Sequence, residues 1–307
     1  MRHLRKWGVG SVALVLLGIG VSNSPAMDKI PDEYKINGFA AGCQAWSFNQ
    51  FTVFDAIRLD HEAGGKIIEF FPGQKFKQGS DERFDHNASD EMIKEVQEEC
   101  RKYNILPVNY GVVVPGGRTL EARKAEWHKI FEFAKKMNLY GVTSEPRAED
   151  MDTIEQLVKE FDIHFCIHDH PKRANDPSYR FWDPNYVLSL VKDRDPRMGS
   201  CADTGHWLSS GIDPIEALHI LKGRIMSSHM KDRNKKGHGA RDVAWGTGVG
   251  ECRQILEELR KQNFQGNIDI EYENDMEKDP ATNAPKSFPQ IKESMTWIEH
   301  QNATARR

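Results

Sequence analysis

Short runs rich in β-branched, aromatic and other apolar residues alternate along the chain with longer stretches whose apolar positions recur at helical spacing. The runs "GFAAGCQAW" near 38–46, "KIIEFF" near 66–71, "ILPVNYGVV" near 105–113 and "LYGVTSEP" near 139–146 read as strands. Four more follow: "IHFCIHDH" near 163–170, "RMGSCADTGH" near 197–206, "RIMSSHMKD" near 224–232 and "NIDIEYEN" near 267–274. Between them lie helical patterns such as "SDEMIKEVQEECRKYN", "RKAEWHKIFEFAKKMN", "MDTIEQLVKEF", "DPIEALHILKG" and "CRQILEELRKQNF", with Ser89, Asp152 and Asp213 placed as N-caps. Eight strand-then-helix units over about 270 residues predict a single parallel (β/α)8 TIM barrel of the α/β class. An open doubly wound sheet would need a glycine-rich phosphate turn after its first strand, and "GCQAWSFNQF" lacks one.

The first 26 residues break this pattern. Arg2, Arg5 and Lys6 precede an apolar segment from Val9 to Val21, and small Ser24 and Ala26 follow. That order predicts a secretory signal peptide over residues 1–26, too short for a stable membrane span, and leaves one barrel domain over 27–307. The expectation is an exported, periplasmic protein without stable membrane insertion. Loss of the leader changes the formal charge from −4 to −7, which disfavours nucleic acid as a partner. Five cysteines remain, an odd number that excludes complete internal pairing. Cys43, Cys166 and Cys201 fall in apolar runs, where cysteine acts as a small buried hydrophobe.

Active sites of parallel barrels lie at the C-terminal ends of the strands, so the chemistry of those ends matters most. Read in order they offer Glu69, Tyr110, Glu145, His168 and His170, Asp203 and His206, His229, Lys231 and Asp232, then Glu271 and Glu273. Alternation along "NIDIEYE" turns Ile268 and Ile270 toward the helices and leaves Asp269, Glu271 and Glu273 facing inward. Singly, each residue has an ordinary explanation: Asp before Thr-Gly caps turns, and an isolated histidine is usually a hydrogen-bonded, half-buried one. Convergence at successive strand ends argues for a site. His168, Asp203, His229 and Glu271 form a mixed nitrogen and oxygen set suited to Mn2+, Co2+, Zn2+ or Fe2+, and less to Mg2+ or Ca2+. Asp203 and His206 occupy a strand end and the turn after it, a placement expected to keep them from facing one centre.

The motifs "CADTGHW", "SSHMKD" and "NIDIEYE", in that order and with "AWGTGVGECRQILEELRKQNFQGN" leading into the last, resemble the xylose-isomerase-like barrel superfamily, in particular its sugar phosphate isomerase/epimerase branch. The resemblance implies that Asp203, His229 and Glu271 bind a metal, that Glu271 doubles as a base and that His206 holds a substrate oxygen. Lys231 and Glu69 join His206 as candidate substrate contacts. Epimerising relatives place a glutamate at the end of strand five, where this chain has His168. Glu145 and His170 stand nearby as acid and base groups of different strength. The expected chemistry is abstraction of a proton beside a carbonyl in a small sugar or keto-sugar, with a divalent ion stabilising the enediolate. The asymmetry of the set favours a lyase or hydratase acting on a 3-keto-glycoside. The alternatives are a ketose epimerase or isomerase, an endonuclease IV-like metal phosphodiesterase, and a non-catalytic carbohydrate-binding barrel.

Overall fold

The computed structural model describes residues 30–301; the leader at residues 1–26 lies outside the described residues. Eight strands form the ring: β1 (Phe39–Gln44), β2 (Ile67–Phe70), β3 (Leu106–Val113), β4 (Gly141–Ser144), β5 (His164–His168), β6 (Met198–Asp203), β7 (Ile225–Met230) and β8 (Asn267–Ile270). Each pairs in parallel with the next, and β8 pairs with β1, so the sheet closes into a TIM barrel. Around it lie α1 (Val53–Ala63), α2 (Asp90–Tyr103), α3 (Leu120–Lys136), α4 (Met151–Phe161), α5 (Pro184–Val191), α6 (Thr204–Ser210), α7 (Pro214–Ile220), α8 (Cys252–Lys261) and α9 (Phe288–His300). Among the described residues no helix is long and apolar enough to cross a membrane.

All eight sequence-read strands are present, most of them shortened at the C-terminal end. The sixth stops at Asp203 because that carboxylate accepts the backbone N–H of His206 at 2.7 Å and starts α6 as its N-cap. Ser89 and Asp213 cap α2 and α7 as expected. Asp152 does not cap α4: it lies inside the first turn, and the N-cap position falls to Asp150. The Asp150 carboxylate is engaged elsewhere, by the Nε of Arg123 at 2.9 Å and the indole N–H of Trp127 at 3.2 Å.

Inward and outward faces follow the alternation read from β8. Ile268 and Ile270 join the main apolar core, while Asp269 turns inward beside Glu69 and His229. The five cysteines are all buried and unpaired. The loop after β7 is fixed by one carboxylate. Asp232 accepts backbone N–H groups from Arg233 and Gly250 at 2.9 and 2.7 Å through Oδ1, and from Gly246 and Gly248 at 2.9 Å each through Oδ2. A Cβ at Gly248 would lie 2.5 Å from Asp232 Oδ1, so the glycines permit the close approach.

Asp232→Ala leaves these donors without their charged acceptor and is expected to lower the unfolding free energy by about 3 kcal/mol. Urea denaturation followed by circular dichroism reads the loss; a change under about 1 kcal/mol would show that water replaces the carboxylate at little cost.

Candidate active site

The ends of β5, β6 and β7 and the residue after β8 bring His168, Asp203, His229 and Glu271 together, with one donor atom of each within 4.8 Å of all the others. His168 Nε2 lies 3.2 Å from His229 Nδ1 and 3.7 Å from Asp203 Oδ2, and His229 Nδ1 lies 3.3 Å from Glu271 Oε2. Ligands bonded to one divalent ion at roughly 2.0–2.2 Å stand about 3–4 Å apart, so the spacing fits such an ion. Asp203 Oδ2 and Glu271 Oε2 are buried and accept no well-aligned hydrogen bond, although Lys231 Nζ is 2.8 and 2.6 Å away. Oxygens so placed are available to a metal. The outer nitrogen of His229, Nε2, faces Glu69 Oε2 at 3.2 Å, the carboxylate–histidine arrangement that orients ligand histidines.

Charge balance favours the ionised form of the two carboxylates. Burial resists ionisation of Glu271, yet Lys231 and His229 hold its carboxyl well below the usual range. Asp203 behaves likewise, burial being outweighed by His206 and Lys231. Burial alone would push the Lys231 amine down, and Asp203, Glu271 and Glu273 instead raise it well above its ordinary value.

A second group borders the first. His170 Nδ1 lies 2.6 Å from Glu145 Oε1, and the Tyr179 hydroxyl donates to the same oxygen while accepting the His170 backbone N–H at 2.9 Å. Burial opposes the charged forms, but their contact raises the His170 pKa and lowers that of Glu145. The contact thus favours the charged form of each partner.

Both groups open onto one cavity of about 440 Å3. Its lining divides by strand. The ends of β1, β2 and β3 supply Trp46, Phe71, Pro72, Val112 and Val114, whereas the ends of β4, β5 and β8 supply Glu145, His170, Arg173, Glu271 and Glu273. Three residues expected at the substrate lie elsewhere. Glu69 is fully buried against His229 and does not line the cavity. His206 is 3% exposed and Lys231 2%, and Lys231 Nζ stands 3.3 Å from His206 Nε2. His206 stays outside the His168, Asp203, His229 and Glu271 cluster and groups instead with Glu271 and Glu273, yet it lies close to Asp203. Because α6 begins at Thr204, His206 comes back over the strand end and its Nε2 reaches 3.5 Å from Asp203 Oδ2. Tyr179, Trp46 and Phe71 escaped sequence reasoning, since they lie in loops or strand-end turns where no periodicity marks them.

A closed barrel with acid, base and ligand-type side chains at its C-terminal end defines an enzyme-like architecture. The family model for the xylose isomerase-like TIM barrel matches residues 57–300, and the chain belongs to that family. No curated protein matches the chain. An uncharacterized protein from Parabacteroides distasonis is 29% identical, with 86% of this chain and 98% of that chain covered and a TM-score of 0.65. A sugar phosphate isomerase/epimerase from the same organism is 14% identical over 86% of this chain and 96% of that one, with a TM-score of 0.60. The probable 3-DHS dehydratase of petrobactin synthesis from Bacillus anthracis is 14% identical over 84% of this chain and 97% of that one, also with a TM-score of 0.60. Both of the latter share the barrel.

The geometry generates a test that separates Glu69 from a substrate contact. His229→Ala is expected to abolish binding of a divalent ion, and Glu69→Gln to weaken it about 10- to 100-fold while the fold is kept. Elemental analysis and calorimetric titration with Mn2+ or Zn2+ measure both; stoichiometric metal in His229→Ala would remove His229 from the ligand set.

Proposed function

We propose that the protein is an exported, divalent-metal-dependent enzyme that eliminates the aglycone from a keto-glycoside, with His168, Asp203, His229 and Glu271 as ligands. The observation that carries this reading is the unequal pair lining the cavity: a carboxylate, Glu271, and, on another strand, an imidazole, His170, whose Nδ1 lies 2.6 Å from Glu145 Oε1. An epimerase that removes and returns a proton on two faces is served by two similar bases.

A divalent ion in this set would supply Lewis-acid stabilisation of the negative charge that develops on the carbonyl oxygen of a 3-keto sugar. Glu271 takes the proton from C2. The electron pair forms the C1–C2 double bond, the bond from C1 to the aglycone oxygen breaks, and His170 gives that oxygen its proton. Glu145 and Tyr179 fix the ring by holding Nδ1 and the backbone, so that Nε2 is left to donate. Addition of water across the double bond uses the same two groups in reverse, which makes hydration the natural second activity. Similarity of the barrel to a protein named as a dehydratase fits elimination on this fold, and similarity to one named as an isomerase/epimerase fits the shared first step.

His170→Gln is expected to slow aglycone release about 100- to 10,000-fold for a poor leaving group such as methanol, and far less for 4-nitrophenol, which leaves without a proton. Initial rates on 3-keto-glucosides with the two aglycones read this, and deuterium from solvent should appear at C2 of the hydrated product and of recovered substrate. Clean interconversion of two epimeric ketoses, with no aglycone released, would replace elimination by epimerisation.

A further inference from the structure

Trp46 is one of the few large apolar side chains that the described residues leave exposed, at 40%, and Val114, at 67%, lies at the same cavity. Phe71, also in the lining, meets Trp46 edge to face with ring centroids 5.0 Å apart. An exposed indole packed on a buried ring at a cavity mouth is ordinarily costly to solubility and is retained where something covers it.

The pair is also rigidly placed. Gln44 Oε1 accepts the Trp46 N–H at 2.5 Å, and Gln44 Nε2 donates to the Gly111 carbonyl at 2.7 Å, which ties the turn after β1 to β3. Ser47, the next residue along, donates to the Ile270 carbonyl at 3.2 Å and accepts the Tyr272 N–H at 2.8 Å. Those two backbone groups flank Glu271. The aromatic wall is thus bolted to the strand end that carries the proposed base, and the separation between them is set by the hydrogen bonds of the Gln44 and Ser47 side chains to the backbone.

From this placement we infer that Trp46 and Phe71 form an aglycone subsite, selecting glycosides whose leaving group is a flat, apolar ring over glycosides with a small alkyl group. The inference rests on the keto-glycoside reading for the position of the sugar. With the sugar held by the polar residues of β4, β5 and β8, the group attached at its anomeric carbon is directed along the β1 to β3 arc. A phenyl ring covered by the Trp46 indole and Phe71 removes apolar surface from water on both partners, enough for about a tenfold gain in affinity over a methyl group.

The test compares phenyl and methyl β-D-glucopyranoside by isothermal titration calorimetry, which needs no turnover. The native protein should bind the phenyl compound about tenfold more tightly, Trp46→Ala should bring it to the level of the methyl compound, and Trp46→Phe should keep most of the preference. Thermal melting checks that the variants fold. Equal affinity for the two glycosides in the native protein overturns the subsite, as does a Trp46→Ala variant that weakens both alike, because the wall would then contact the sugar itself. A phenyl preference that persists while the corresponding 3-keto-glycosides release nothing leaves the subsite standing and removes elimination instead.

Discussion

The Lys231 ammonium lies 2.6, 2.8 and 3.0 Å from oxygens of Glu271, Asp203 and Glu273, at the C-terminal end of the barrel. Asp203 and Glu271, both buried, with the half-buried Glu273 beside them, would not remain ionised unaided, since removing a carboxylate from water costs several kcal/mol and the three repel one another. A cation fixed among them makes the arrangement tenable. Its backbone is fixed too: the Thr204 hydroxyl donates to the Lys231 carbonyl and accepts its N–H at 3.2 and 3.0 Å. Thr204 opens α6, whose N-cap is Asp203, so the helix that follows β6, the lysine that follows β7 and the carboxylate between them are one unit. Arg233 extends it through Asp242 at 3.0 Å and Glu273 at 3.4 Å. Charge compensation, more than any single hydrogen bond, lets this end of the barrel be acidic and ordered together.

The same unit explains why the cavity is divided by strand. Strands β5 to β8 spend their C-terminal ends on charged side chains that must be compensated, and their loops are built to do this, as Asp232 shows by gathering four backbone donors. Strands β1 to β3 carry no such load at the cavity. Their ends are free to present Trp46, Phe71 and Val112, and Ser47 joins the two halves across the closure between β8 and β1.

Strand number, order and the inward face of β8 were legible in the sequence because each depends on local alternation, which closure of the barrel preserves. The four clustered donors were legible for a related reason: inward residues at the ends of neighbouring strands must meet. Depth was not legible. Parity says that Glu69 and Lys231 point inward but not that Glu69 stops one layer below the cavity, against His229, or that the Lys231 chain bends back to the carboxylates instead of forward to a ligand. His206 was read in a turn after the strand end, whereas the Asp203 cap makes that turn the first turn of a helix. Tyr179 sits in the loop between β5 and α5, where contact with Glu145 depends on the path of the chain and leaves no periodic trace.

Where the strand-five end carries a histidine, His168, the neighbouring strand end carries a carboxylate, Glu145, and two residues beyond His168 stands His170. A carboxylate at position 168 would add a further negative charge to a group already holding Asp203, Glu271 and Glu273, with Lys231 as its nearest compensation. Histidine avoids that repulsion. Glu145 instead spends its charge on His170, stabilising an imidazolium that would otherwise be penalised by burial. The two arrangements differ in what they keep at hand near neutral pH. A carboxylate at 168 would add another base of the same kind beside Glu271, whereas Glu145, committed to His170, sets an imidazole on a separate strand from Glu271. In the proposed elimination, that separation would let a proton be taken at one atom while another is delivered elsewhere.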